Sequence, residues 1–295
     1  MIEYSLFKIV HHPTKSCLSL ILMLICSIPA FAQLTCSDKD HTTIVQILRT
    51  AETKNWRELP DGESLTEIGK AFIPTPYVAN TLEQGMKEDS LIINVSGMDC
   101  TTFVEQVLAL GITIKKNDPS FEKFGQSLEC IRYRGGNKEG YFSRLHYFTD
   151  WIDDNEHKSL IENISRTLSP EQLPKDLNFM STHRSAYKAL ADNDSLWRMT
   201  QQLEKGINQR DHYFLPKEQI REQANQIKNG DIIALVTNIK GLDVSHVGFA
   251  YWQGTELHFL HASLKMGVMI TEETLSDYLG KMKSNRGIIV ARPVY

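Results

Sequence analysis

Val244-Ser245-His246-Val247-Gly248-Phe249-Ala250-Tyr251-Trp252, then Gln253-Gly254-Thr255, then Glu256-Leu257-His258-Phe259-Leu260-His261-Ala262 reads as two apolar strands with a tight turn between them. Gln253-Gly254 sits where a hairpin turn is wanted. The pattern continues on both sides. Residues 231–237, 267–270 and 287–292 are further short apolar runs, and a helix is expected at 272–281. Upstream the period changes. Ile44 and Leu48, then Leu65, Ile68 and Phe72, fall at helical spacing, so 39–54 and 62–72 read as helices, followed by helices near 100–110 and 119–131. The stretch 132–226 is mixed, with helices expected near 195–205 and 216–227. Helices first and an antiparallel sheet second predict an α+β fold in one domain, with a long middle insertion at about 112–226.

Composition narrows the function. Of 295 residues 41% are hydrophobic, 23% are charged and 10 are proline, which excludes a disordered tail, a collagen-like rod and a cysteine-stapled mini-protein. With 32 basic against 36 acidic residues the formal charge is −4, opposite to the basic excess of a nucleic-acid binder. Residues 1–32 read as an export signal. Lys8 and Lys15 lead into an apolar run from Cys17 to Ile28, and Ala30-Phe31-Ala32 follows as a small-x-small cleavage site. That run is too short to span about 30 Å of hydrocarbon, so no stable membrane insertion is expected after cleavage. Residues 33–295 are then expected to form a single domain, a monomer exported to the periplasm. It keeps Cys36, Cys100 and Cys130. Three thiols cannot all pair within one chain, and a Cys36–Cys130 bridge with Cys100 free is one arrangement left open.

Chemistry concentrates in two stretches. In Met98-Asp99-Cys100-Thr101-Thr102-Phe103-Val104-Glu105, the residues Cys100, Phe103, Val104, Val107 and Leu108 share one helix face, and Asp99 is a natural N-cap. Cys100 therefore stands in the first turn, where free N–H groups and the helix dipole are expected to lower a thiol pKa. A small buried core cysteine fits the same spacing. In the hairpin, alternation puts His246, Gly248 and Ala250 on one face, small enough for a helix to pack closely beside the histidine. Leu257, Phe259 and His261 share a face, and His258 points the other way. Taken singly, His246 reads as a satisfied core histidine. Together, a cysteine at a helix start, a histidine on one strand and a polar group on the next match a cysteine-hydrolase triad. A zinc site is the rival use of Cys100, His246 and His261. No Cys-x-x-Cys or His-Glu-x-x-His spacing supports it, so neither metal nor organic cofactor is expected.

The order of five pieces resembles NlpC-type cell-wall cysteine peptidases: Ile73-Pro74-Thr75-Pro76-Tyr77, Met98–Phe103, Gly230-Asp231-Ile232-Ile233, Ser245-His246-Val247-Gly248 and Leu260-His261-Ala262-Ser263. Those enzymes have a papain-like core and cut peptidoglycan stem peptides. The insertion is similar to a branch first catalogued as domain of unknown function family 1460. The resemblance lies in Tyr133-Arg134-Gly135-Gly136, in 140–151, and in Asn178-Phe179-Met180-Ser181 with His183 and Tyr187 after it. That branch is associated with N-acetylmuramoyl-L-alanine amidase activity on small muropeptides, including those ending in 1,6-anhydro-N-acetylmuramic acid. The resemblance implies Cys100 as nucleophile, His246 as general base, His261 as the residue orienting it and Tyr77 near the oxyanion. Pro74 and Asn80 stand where relatives commonly have glycine.

The insertion is expected to build the sugar pocket. Tyr141, Tyr147 and Trp151 offer rings for stacking on pyranoses, and Arg134, Arg144 and His146 offer donors for acetamido and hydroxyl oxygens. For each aromatic alone a core position is the commoner use, and Arg144 has Asp150 or Asp153 as alternative partners. The expected partners are peptidoglycan fragments, disaccharide-peptides in particular. Two rival functions stand beside the amidase: an endopeptidase cutting between D-glutamate and the diamino acid, and a non-catalytic muropeptide-binding protein. The intact Cys100, His246 and His261 set speaks against the second.

Overall fold

Strict alternation along the C-terminal strands sorts their side chains onto two faces, and the computed structural model has a hydrophobic core on each. It describes residues 33–83, 88–116, 118–174 and 176–295; the expected export signal at 1–32 lies outside them. The main sheet has seven strands. In order across it run β3 (Ile161–Asn163), β9 (Asn285–Pro293), β5 (Ile232–Thr237), β6 (Val244–Gln253), β7 (Glu256–Ser263) and β8 (Gly267–Ile270), with β4 (Leu215–Pro216) also on β9. All these pairings are antiparallel. β1 (Gln33–Cys36) and β2 (Ser90–Ile93) form a separate parallel pair.

One face carries Ile232, Ala234, Val247, Phe249, Leu260 and Ile289. Against it pack α1 (Asp38–Thr53), α2 (Asp61–Lys70) and α3 (Cys100–Lys115). α3 is the central helix, apolar nearly all round and buried from Thr102 to Ile114. The ring of Phe103 meets that of Phe249 at 5.8 Å, in the edge-to-face geometry aromatic pairs favour. Glu105 is the buried charge on this helix, and Arg132 neutralises it at 2.7 Å. The opposite face carries Ile233, Leu235, Ala250, Phe259, Ile288 and Val290, under α7 (Leu275–Gly280).

The insertion is built into this frame. α4 (Phe121–Arg132) and α5 (Phe148–His157) place Phe124 and Trp151 in the same core as Phe103, and β3 and β4 complete the sheet along β9. α6 (Asp194–Ile207) covers a smaller cluster around Tyr147, Met180 and Leu190.

The expected α+β order holds, with differences at particular elements. The helix expected at 216–227 is a broken series of short turns, Lys217–Gln219, Ile220–Gln223 and Ala224–Gln226. Its last carbonyls are taken by side chains: Arg292 Nη2 donates to Gln226 O and Trp252 Nε1 to Ile227 O. The helix expected at 272–281 starts later because Thr274 caps it. Cys36, Cys100 and Cys130 are all free thiols, so the Cys36–Cys130 bridge is not formed.

Candidate active site

Asp99 holds the start of α3. Its carboxylate accepts from Thr102 N–H at 2.8 Å while Thr102 Oγ1 accepts from Asp99 N–H at 3.0 Å, a reciprocal capping box with threonine in the usual glutamate place. Cys100 is thereby fixed in the first turn, half-buried. Beside it runs the segment around Tyr77, paired in parallel with Met98: Met98 N–H donates to Pro76 O at 3.2 Å and Val78 N–H to Met98 O at 3.1 Å. Asn80 continues that segment with φ 60°, the left-handed region that asparagine tolerates best after glycine. The Tyr77 hydroxyl stays protonated, because burial and then the neighbouring Cys100 and Asp99 charges raise its pKa.

β6 brings the histidine. A bulge places Ser245 as an extra residue just before His246, where Leu235 pairs with His246 and Val236 with Val244. Asn285 Nδ2 donates to Ser245 Oγ at 3.0 Å and to Val236 O at 3.2 Å, pinning the bulge. Bulges re-aim side chains, and this one sits at the functional strand end. Ala250 N–H donates to Asp231 O on the β5 side, so alternation turns Val247 N–H toward β7, just beyond the last β6–β7 pair, Gly248 with His261. From there that N–H acts on the Cys100 sulfur and favours its anion. The helix start thus caps the open end of the ladder. Across it, His246 Nε2 and His261 Nδ1 lie 2.6 Å apart in a hydrogen bond, which leaves His246 Nδ1 as the nitrogen available to a thiol. No metal fits between nitrogens in direct hydrogen bond, and among the described residues no three His, Cys, Asp or Glu side chains are grouped to hold one.

Two expectations need correction here. The small face of β6 does not receive α3; the helix on that side is the short α7, which meets it around Ala250 and not over Gly248. α3 packs on the opposite face through Phe249, and the space over Gly248 is filled by the Phe259 ring and the His261 side chain. Nor is the thiol lowered. Burial pushes Cys100 up to about 11, the Asp99 carboxylate adds to the rise, and hydrogen bonds from Val247 N–H and Thr101 only partly oppose it. Burial also holds His246 down at about 4; His261 falls to about 3 through burial and then the His246 charge. At neutral pH the resting groups are therefore thiol and imidazole, not an ion pair.

A cleft of about 190 Å³ opens along the first turn of α3, lined by Asn80, Glu83, Thr101, Arg144, His146 and Tyr187. Arg144 and His146 thus line a cleft whose wall also includes Asp99 and Thr101, the residues on either side of Cys100. Arg144 pairs with Glu83 at 2.8 Å and Glu88 at 2.5 Å, not with Asp150 or Asp153. Burial raises Glu88 to about 7 against the pull of Arg144. His146 Nε2 donates to Tyr141 O at 3.0 Å; burial and then Arg144 keep its ring neutral.

The remaining sugar-pocket residues are elsewhere. Trp151 is 0% exposed, stacked on Phe148, and Tyr147 is 2% exposed with its hydroxyl donating to Glu204 Oε1. Tyr141 is 3% exposed under Arg144. These rings are core and present no face to a pyranose. Arg134 and Arg210 share the buried Asp150 carboxylate. Sequence reading missed Glu83, Glu88 and the Asn285 that pins the bulge, since each acts through contacts distant in the chain.

Comparison with known proteins now adds a family. The family described as AmiA-like, N-acetylmuramoyl-L-alanine amidase-like, matches residues 67–288. The chain belongs to this amidase-like family. A crystal structure of an N-acetylmuramoyl-L-alanine amidase from Bacteroides uniformis ATCC 8492 is 34% identical, with TM-score 0.75, over 80% of this chain and 99% of that one. A Bacteroides fragilis structure with a provisional xylanase name is 40% identical, with TM-score 0.72, over 77% and 99%. A Legionella pneumophila str. Philadelphia 1 protein of domain of unknown function family 1460 is 23% identical, with TM-score 0.65, over 87% and 95%, and shares the fold. No curated protein matches the chain. Membership in the amidase-like family supports a cell-wall amidase acting outside the cytoplasm on peptidoglycan. Among the described residues no helix is long and apolar enough to cross a membrane.

Proposed function

We propose that the protein is a cysteine-dependent N-acetylmuramoyl-L-alanine amidase of the papain-like NlpC type, cleaving the lactyl–L-Ala amide of muropeptides, including those ending in 1,6-anhydro-N-acetylmuramic acid. One observation carries the reading: His246 is hydrogen-bonded to His261 at 2.6 Å on the strands against which the Asp99-capped helix that starts at Cys100 packs, with the Val247 backbone next to His246 acting on the Cys100 sulfur. This supports Cys100 as nucleophile, His246 as base and His261 as the orienting group. Residues 1–32 serve as the export signal, and 33–295 act as a periplasmic monomer.

The chemistry starts from neutral groups. His246 Nδ1 takes the thiol proton as the Cys100 sulfur bonds to the lactyl carbonyl carbon. The Cys100 N–H and the Tyr77 hydroxyl receive the developing oxyanion, each such donor being worth about 3 kcal/mol in other enzymes. His246 then protonates the departing L-alanine nitrogen as the C–N bond breaks, and the stem peptide leaves. Water, deprotonated by His246, attacks the thioester; the C–S bond breaks and the proton returns to sulfur. His261 accepts from His246 Nε2–H throughout. Arg144 and His146 bind the sugar side. The xylanase name fits the cleft less well. Glycoside hydrolysis needs a pair of available carboxylates, and of the three that line the cleft Glu83 and Glu105 are each held by an arginine while Asp99 caps α3.

The test compares the protein lacking 1–32 with its Cys100→Ala variant on disaccharide-tetrapeptides in anhydro and reducing forms, with products weighed by mass spectrometry. Free disaccharide plus intact tetrapeptide is expected, reduced by at least about 10⁴-fold in the variant. Disaccharide still carrying L-Ala-D-Glu overturns the amidase in favour of the endopeptidase.

A further inference from the structure

We infer that Phe259 and Tyr278 are positioning residues, an aromatic clamp that holds the His261 imidazole where its Nδ1 meets Nε2 of His246. This inference rests on the reading of Cys100, His246 and His261 as the catalytic set. Phe259 lies two residues before His261 on β7, hence on the same face. Its ring stacks on the imidazole with centroids 4.7 Å apart and planes 15° apart. The same ring stands edge-on to His246 at 5.8 Å and 74°. Tyr278, from α7, meets both partners: its ring is 5.5 Å from His261 and 5.9 Å from Phe259. Gly248 makes the arrangement fit. A Cβ there would lie 2.8 Å from the Phe259 ring and 2.8 Å from His261 Cβ, so any side chain would push the stack apart.

The clamp acts in two ways. It blocks rotation of an imidazole that is hydrogen-bonded to His246 through Nδ1. It also excludes water, keeping His261 neutral and so able to accept the His246 proton bond. The titratable groups facing His261 are His246 from β6 and Tyr278 from α7; Phe259 on β7 and Met269, its neighbour across on β8, are uncharged. Burial raises the Tyr278 pKa, so its hydroxyl stays neutral too.

The experiment measures kcat and KM against pH on a disaccharide-tetrapeptide for wild type, Tyr278→Ala, Tyr278→Phe and Phe259→Leu. Cys100→Ala and His261→Ala serve as references, and melting temperatures are taken for all. Tyr278→Ala is expected to lose about 10- to 100-fold in kcat, the scale of a small misplacement, with KM within about twofold. Its acid limb should move up toward about 6.5 as His261 becomes hydrated and protonates. Tyr278→Phe restores the ring, and with it kcat and the limb. Unchanged kcat and limb in Tyr278→Ala overturn the clamp, as does a rise in KM alone, which would make Tyr278 a substrate contact. If Phe259→Leu fails to fold, the two Tyr278 variants decide. Wild-type turnover in Cys100→Ala or His261→Ala instead removes the catalytic set itself, a separate failure.

Discussion

At Cys100 two effects oppose each other, and their sizes decide the resting state. A helix N-terminus favours an anion by about 0.3–1 kcal/mol in ordinary settings, less than one pKa unit. Burial raises this thiol to about 11 from its ordinary value, with Asp99 adding to the rise. Burial wins. Iodoacetamide is therefore expected to label Cys100 slowly at pH 7 in the substrate-free enzyme, and faster as pH rises through 9 and 10, with labelled peptides mapped to separate Cys36 and Cys130. For the base the sign runs the other way. His246 must be neutral to take the thiol proton, and its pKa is lowered to about 4, so kcat/KM should stay high down to about pH 4 and fall below it. Rapid labelling independent of pH between 5 and 8 would mean a preformed thiolate–imidazolium pair and sink this account. The two histidines and the cysteine were legible from alternation and helical spacing. Their protonation was not, because desolvation depends on what covers them, and the covering residues Phe259 and Tyr278 come from β7 and α7.

The first turn of α3 links local structure to the same chemistry. Asp99 caps the helix through its carboxylate oxygen and raises the thiol through its charge, and two substitutions separate these roles. Asp99→Asn keeps an equally good cap, so its stability should match wild type within a few tenths of a kcal/mol, while Cys100 labels faster at pH 8. Asp99→Ala also removes the charge but loses the cap, at about 1 kcal/mol by chemical denaturation. Equal labelling rates in wild type and Asp99→Asn would show that the carboxylate does not act on the sulfur. Among the elements, α1 through α4 and β5 through β9 could be read from periodicity because each buries a stripe or an alternate face. β3, only Ile161–Asn163, was not legible: its partners Arg292 and Pro293 lie at the far C-terminal end of the chain. The β6 bulge escaped for a related reason. Asn285 holds it from β9, and nothing in Asp243–Ala250 shows an extra residue.

Seen whole, the insertion is part of the hydrophobic core and not a cap laid over it. Trp151 and Phe124 pack with Phe103 and Phe249, while Asp243, at the head of β6, accepts from the Thr149 N–H at the start of α5 at 2.8 Å. The sequence presented Tyr141, Tyr147 and Trp151 as sugar platforms because an aromatic cluster reads alike in a core and in a pocket. Depth separates the two, and depth depends on the whole fold. If the insertion shares one core with the sheet, it cannot melt alone. Near-ultraviolet and far-ultraviolet circular dichroism should then report a single coincident urea transition. Trp151→Ala should shift that transition by about 3–5 kcal/mol, the cost of emptying a large buried ring site. In the fraction that stays folded, KM for a disaccharide-tetrapeptide should be unchanged. Arg144→Ala should lower stability too, because it leaves Glu83 and Glu88 unpaired, but in its folded fraction KM should rise, because Arg144 lines the cleft along the first turn of α3. A Trp151→Ala protein of wild-type stability with a raised KM would return the ring to the sugar and take the shared core with it.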